Sequence, residues 1–248
     1  MAKQQERDAL NIITQAGTAV WPKLNAPDEY KGKRTFNTKL VVDPAADALI
    51  EKKPGNLIEA AETLRDAFLE KTKAALQEQA AELRRTKKGA KAKEVEEKLA
   101  TIEAVDFGKP EVDDETEEET GKLVISAKTN AEYKDKRGNL RERTLKIFDA
   151  KGKPLKNAPE IGSGSTLKLA ATMVPYYMPK ENTVGVTLYL DAVQVIDLVT
   201  FGGQRDASSY GFGQEDGYEG EDEADEEEQE EEEEEESAPR GKSKGPNF

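Results

Sequence analysis

The sequence predicts a mainly β fold: an OB-type five-stranded barrel with one long inserted helix, followed by a disordered acidic C-terminal tail. Three observations carry that expectation. Segments in which apolar and polar residues alternate recur between Arg34 and Val199, as half-buried strands require. One long helical stretch follows the first of them, whereas an α/β sheet would alternate strands and helices throughout. Residues 204–248 are rich in Gly, Ser, Asp and Glu, with too few apolar side chains to offset the entropy of ordering.

The first twenty residues are weakly patterned and are expected to pair with the body or drape over it. From Arg34 to Val42, Phe36, Thr38, Leu40 and Val42 alternate with Thr35, Asn37 and Lys39, a half-buried strand that Asp43-Pro44 should end. Asn56 is placed to cap a helix whose apolar face runs Leu57, Ala61, Leu64, Phe68, Ala75, Ala80 and Leu83. Six bases in the ten residues 84–93 follow, then a shorter helix to about Ala104 and an acidic loop, 111–119, with seven acids.

Beyond the loop the pattern is β. Leu123–Ala127 is one strand, Tyr133–Arg141 a hairpin turning at Gly138-Asn139, and Arg143–Phe148 another strand closed by the turn 149–152. Ile161-Gly162-Ser163-Gly164-Ser165 leads into Thr166–Val174, which Pro175 should end. Thr183–Val199 is long and β-rich with a break near Asp191-Ala192. The domain expectation is a barrel over 1–203, carrying a helical insert at about 56–104, and a tail over 204–248.

Composition removes several function classes. The chain of 248 residues has no histidine, which rules out a Ser-His-Asp arrangement and a His-ligated metal site. It has no cysteine, so disulfides, zinc ribbons and iron–sulfur clusters are excluded, and no cofactor is expected. No apolar run approaches a membrane span and the N-terminus lacks a signal-peptide core, so a soluble intracellular protein is expected. The net charge of −14 is local: 17 acids and no base lie between Glu215 and Glu236, while residues 1–214 hold 34 bases and 34 acids. Leaving out the acidic loop gives the rest of that body +7.

The Gly162–Ser165 stretch lacks the Gly-Lys-Ser/Thr ending of a phosphate loop and precedes a strand, which reads as a turn. A carboxylate cage for Mg²⁺ in the 111–119 loop, and with it a nuclease, has no support beyond the acids themselves. More informative are the bases spread over strands and hairpin tips, Lys33, Arg34, Lys128, Lys134, Lys136, Arg137, Arg141, Arg143 and Lys180, together with Tyr176 and Tyr177. Aromatic faces for bases and cations for phosphates are what sequence-neutral binding of single strands requires. The acidic tail reads either as a solubilising brush or as a polyanion that imitates nucleic acid. Its 45 residues reach roughly 35–40 Å, enough to contact a cleft on the same domain. An acidic chaperone or scaffold binding basic proteins through the tail is the alternative reading.

Four stretches, in this order, resemble the replication single-stranded DNA-binding proteins of short-tailed phages: Phe148-Asp149-Ala150-Lys151-Gly152-Lys153, Ile161–Lys168, Met173-Val174-Pro175-Tyr176-Tyr177, and Thr200-Phe201-Gly202-Gly203 before an acidic tail ending in Phe248. The resemblance implies an OB barrel with an inserted helix and a non-enzymatic protein that coats single-stranded DNA during replication, recombination and repair and anneals complementary strands. It further implies a homodimer in the cytoplasm of the infected bacterial host, with a tail that competes for the DNA cleft and contacts the phage polymerase and the helicase–primase. Carried over by residue, Tyr176 stacks on a base, Lys128 contacts a phosphate, and Lys33 or Arg34 contacts a second. Tyr177, Met178 and Lys180 complete the expected DNA site, and Glu230, Glu231, Glu232, Glu233, Glu234, Glu235, Glu236 and Phe248 the partner-binding tail. Two departures stand out. Met178 occupies the position where the family can place tryptophan, and three bases, Arg240, Lys242 and Lys244, separate the acids from Phe248.

Overall fold

A computed structural model describes residues 8–113, 115–135 and 137–200. The tail expected over 204–248, with Phe248, and Lys136 of the expected basic set lie outside the described residues. In chain order the elements are β1 (Leu10–Ile13), β2 (Gly17–Tyr30), β3 (Lys33–Val42), β4 (Asp47–Ile50), β5 (Lys53–Asn56), α1 (Leu57–Arg85) and α2 (Gly89–Thr101). There follow β6 (Glu103–Ala104), β7 (Lys109–Val112), β8 (Glu119–Asn130), β9 (Glu132–Lys134), β10 (Leu140–Glu142), β11 (Lys146–Phe148), β12 (Thr166–Met178) and β13 (Thr183–Asp197).

Five of these strands close into a barrel in the order β2-β3-β8-β13-β12 and back to β2. All contacts around it are antiparallel except β13 with β8, where Leu188 faces Ala127 and Tyr189 faces Lys128 in parallel register. That is the OB-type barrel. Its interior is filled by the alternation the sequence displays: Phe36, Thr38, Leu40 and Val42 from β3, Ile125 and Ala127 from β8, and Leu167, Leu169, Ala171 and Met173 from β12 are all buried. Closure is tight at the seam. A Cβ on Gly17 would lie 2.4 Å from the Val41 carbonyl oxygen, so only glycine lets β2 approach β3 there.

Bulges explain where the sequence pattern slips. On β13, Leu188 and Leu190 face inward, and so do Val193 and Val195, a change of parity. Asp191 is the extra residue: Ala171 pairs with Leu190 while Ala170 pairs with Ala192. The break expected near Asp191-Ala192 is therefore a β-bulge within one continuous strand. The same device hides β2, whose buried Ala19 and Leu24 differ in parity across a bulge between Val20 and Lys23. The weak pattern of the first twenty residues conceals β1 and the start of this barrel strand.

Pro175 does not end its strand, contrary to expectation. Inside β12 it pairs with Val186 of β13, two residues beyond Met173, the last β12 residue paired with β1. Proline's missing N–H thus falls on the side where, among the described residues, β12 has no neighbouring strand, the edge position a sheet tolerates. The hairpin β4–β5 was also not legible, because its turn uses Glu51 (φ +48°) and Lys52 (φ +67°) rather than glycine or asparagine.

The α1 helix starts where Asn56 caps it, its side-chain oxygen accepting from the Ile58 and Glu59 N–H groups at 2.9 and 3.0 Å. Leu57 and Ala61 join the barrel core, and further along Leu76 rather than Ala75 is buried. Arg84 closes the turn between the helices with a two-pronged pair to Glu96, at 2.7 and 2.8 Å. No helix among the described residues is long and apolar enough to cross a membrane.

Candidate nucleic-acid interface

Strand alternation sorts the expected site residues by face. Pro175 points into the barrel, so Tyr176 and Met178 point outward and Tyr177 does not. On the outside, Tyr176 and Met178 line a groove of about 700 Å³ with Lys128 of β8. Three residues that sequence reading missed lie beside them: Lys39 of β3, Lys109 of β7 and Tyr189 of β13. Tyr189 is 47% exposed and sits next to Lys128 by the parallel register of β13 and β8. Lys39 pairs with Ser126, one outward position along β8 from Lys128.

The groove is cationic. Lys39, Lys109 and Lys128 face it together with one acid, Asp106, and that carboxylate lies 3.4 Å from Arg65. Arg65 is mostly buried and also donates to the Val105 carbonyl at 3.3 Å, fixing the strand connector that forms one wall. Of the described acids of the 111–119 loop, Glu111 lies two residues along β7 from Lys109, whereas Asp113 and those from Glu115 to Glu119 lie at the far end of the β7–β8 ribbon. Glu119 precedes Lys128 by nine residues of β8, roughly 30 Å at about 3.3 Å per residue. In that loop Asp113 accepts from the Thr116 N–H above all and from the Glu115 N–H, which holds its carboxyl below the usual range. Among the described residues no group of three or more carboxylates is placed to hold a metal ion.

Tyr176 is held in place by a missing side chain. Opposite it stands Gly185, where a Cβ would lie 2.6 Å from the Tyr176 hydroxyl oxygen and 2.7 Å from Cζ. The ring therefore lies across the bare backbone of the neighbouring strand, pinned and half-buried.

The other expected residues lie elsewhere. The Tyr177 hydroxyl donates to Asn182 Oδ1 at 2.8 Å, and Asn182 in turn donates to Lys98 and Thr101 at the end of α2. Lys180 is exposed in the β12–β13 turn. Lys33 is exposed at the start of β3, while Arg34 beside it pairs with Glu142 at 3.1 Å and Glu132 at 3.4 Å. The hydrogen bond to Glu142 is the main cause raising the Arg34 pKa. Of the hairpin bases, Arg141 pairs with Asp135 and Arg143 donates to Thr129 at 3.0 Å. The Gly162–Ser165 stretch is a turn in which Gly162 donates to the Val199 carbonyl, Gly164 to that of Ala19 and Ser165 to that of Gly162.

Against known proteins, residues 28–198 match the family model described as single-stranded DNA-binding protein, bacteriophage T7. The chain belongs to this family. Its relatives include the single-stranded DNA-binding proteins of Escherichia phage T7, 34% identical over 87 residues, and of Enterobacteria phage T3, 34% identical over 84 residues. Those stretches are 35% and 34% of this chain and 38% and 36% of the relatives, so well under two thirds of either relative is spanned. The crystal structure of a single-stranded DNA-binding protein encoded by bacteriophage T7 superposes with a TM-score of 0.50 at 20% identity, covering 83% of this chain and 98% of that one. The family's OB-type barrel is thus the fold observed here, with the groove on its outer face.

Proposed function

We propose that the protein binds single-stranded DNA without sequence preference in the groove that holds Tyr176, and serves phage DNA replication, recombination and strand annealing. It acts by coating the strand and not as an enzyme. The observation that carries this reading is the placement of Tyr176, Met178 and Tyr189 among Lys39, Lys109 and Lys128 in one groove. Stacking surfaces supply affinity that every base satisfies, and the lysines displace counterions from phosphates. Membership of the phage family and the likeness to relatives of that printed function support the same reading.

Within this reading the acidic tail, Glu230–Glu236 above all, competes with DNA for the groove and recruits the phage polymerase and helicase–primase, with Phe248 as its terminal anchor. The protein works as a homodimer in the cytoplasm of the infected bacterial host. Lys33 or Arg34 and Lys180 extend the phosphate contacts beyond the groove.

The test is a titration of fluorescent poly-dT with the full chain and with a chain ending at Gly213, at several salt concentrations. Binding that tightens on truncation and weakens with salt is expected. Binding that loosens on truncation would remove the competition, and no binding by the shortened chain would leave a scaffold that meets basic proteins through its tail.

A further inference from the structure

The chain has a single tryptophan, and it is not in the core. Trp21 is 68% exposed, although an aromatic of this size is ordinarily well covered. Its backbone lies at φ +50°, a conformation that a bulky side chain keeps only where its surroundings impose it. The restraint is visible: the Trp21 N–H donates to Ser163 Oγ at 3.0 Å, in the loop that leads into β12. The strand is thereby held in a shape that turns an indole outward, where glycine or asparagine would sit with less strain.

Its position gives that exposure a use. Trp21 lies in the β2 bulge, between the pairs Val20–Lys39 and Lys23–Asn37 with β3. Lys39 lines the groove, as does its β8 partner Ser126. From β2 across β3 and β8 to β13 is three strand spacings, roughly 14 Å. Along that path two lysines stand between two aromatic side chains: Trp21, Lys39, Lys128, Tyr189.

We propose that Trp21 is a second base-stacking platform, which takes a nucleobase of the strand after it leaves the groove past Lys39. The inference rests on the single-stranded DNA reading above. An indole face offers a large π surface, and stacking on it is indifferent to base identity, in keeping with sequence-neutral binding.

Because the chain has one tryptophan, its emission reports on this residue alone. The full chain is titrated at low salt with fluorescein-labelled dT oligomer for anisotropy, and with unlabelled dT oligomer or an abasic oligomer of equal length for tryptophan emission. Emission quenching that follows occupancy with the dT oligomer, and not with the abasic one, is expected. Trp21→Ala should bind about tenfold more weakly and Trp21→Phe within about threefold of the native chain. Saturated anisotropy with unchanged emission, or equal quenching by the abasic oligomer, would overturn the proposal. So would Trp21→Ala affinity within twofold of native, an outcome that would assign the indole to a protein contact. The emission measurement needs no variant, so it decides even if Trp21→Ala fails to fold. Absence of any anisotropy change with the native chain would instead defeat the DNA reading on which this one rests.

Discussion

Gly185 and Tyr177 show how single residues divide the work around the groove. Adding one methyl group at Gly185 places a carbon within 2.6 Å of the Tyr176 hydroxyl oxygen, and the ring must move. Gly185→Ala should therefore weaken single-stranded DNA binding by up to the roughly 1–3 kcal/mol expected for Tyr176→Ala, read by oligonucleotide anisotropy. Unchanged affinity in both variants would take Tyr176 out of the site. Tyr177→Phe removes one hydrogen bond to Asn182 and should cost about 0.5–1.5 kcal/mol of stability in a denaturant melt, while DNA affinity stays as it was. Tyr176 drew notice as an aromatic beside Pro175 and Lys128 as one of several scattered bases, the family resemblance added Met178, and the fold brings all three to one groove. Tyr189 and Lys39 were not legible, since each is just another outward position of an alternating strand until the barrel closes and brings β13 beside β8.

At the scale of elements, capping and turn chemistry carry local stability. Asn56 accepts from two N–H groups at the start of α1, so Asn56→Ala should cost about 1 kcal/mol, measured as a lowered midpoint in urea. The β9–β10 hairpin depends on Asp135, whose carboxylate accepts from the Asn139 and Arg137 backbone N–H groups and pairs with Arg141. The Asn139 hydrogen bond is the main cause holding this carboxyl below the usual aspartate range. A group whose pKa is depressed on folding stabilises fully above its unfolded value, and that contribution fades as pH falls through the folded one. The Asn139 amide resonance should accordingly titrate with a midpoint lower than that of an unpaired aspartate. A midpoint at the ordinary value would mean that the hairpin tip is open in solution. The hairpin itself was readable from Gly138-Asn139. The β4–β5 hairpin was not, because its turn residues Glu51 and Lys52 carry no such signature.

For the whole molecule, charge distribution makes a measurable statement. The body is neutral by count, yet three lysines face the groove, while the acids from Glu115 to Glu119 stand at the far end of a ribbon. If all three neutralise phosphates, log K should fall with log salt at a slope near −2 from the groove alone, and Lys128→Ala should reduce that slope by about 0.7. A slope unchanged by that substitution would place Lys128 off the phosphate path. The sequence by itself determined the β character, the long capped helix, the segregation of acids into loop and tail, and the absence of histidine and cysteine chemistry. Each of these depends on composition, or on a period that any stretch of chain reveals locally. The tertiary structure alone decided which strands meet. Closure of β12 on β2, the parallel contact of β13 with β8, and the bulges at Trp21 and Asp191 arise from contacts between residues far apart in the chain. Those contacts gather Lys39, Lys109, Lys128, Tyr176 and Tyr189 into one groove.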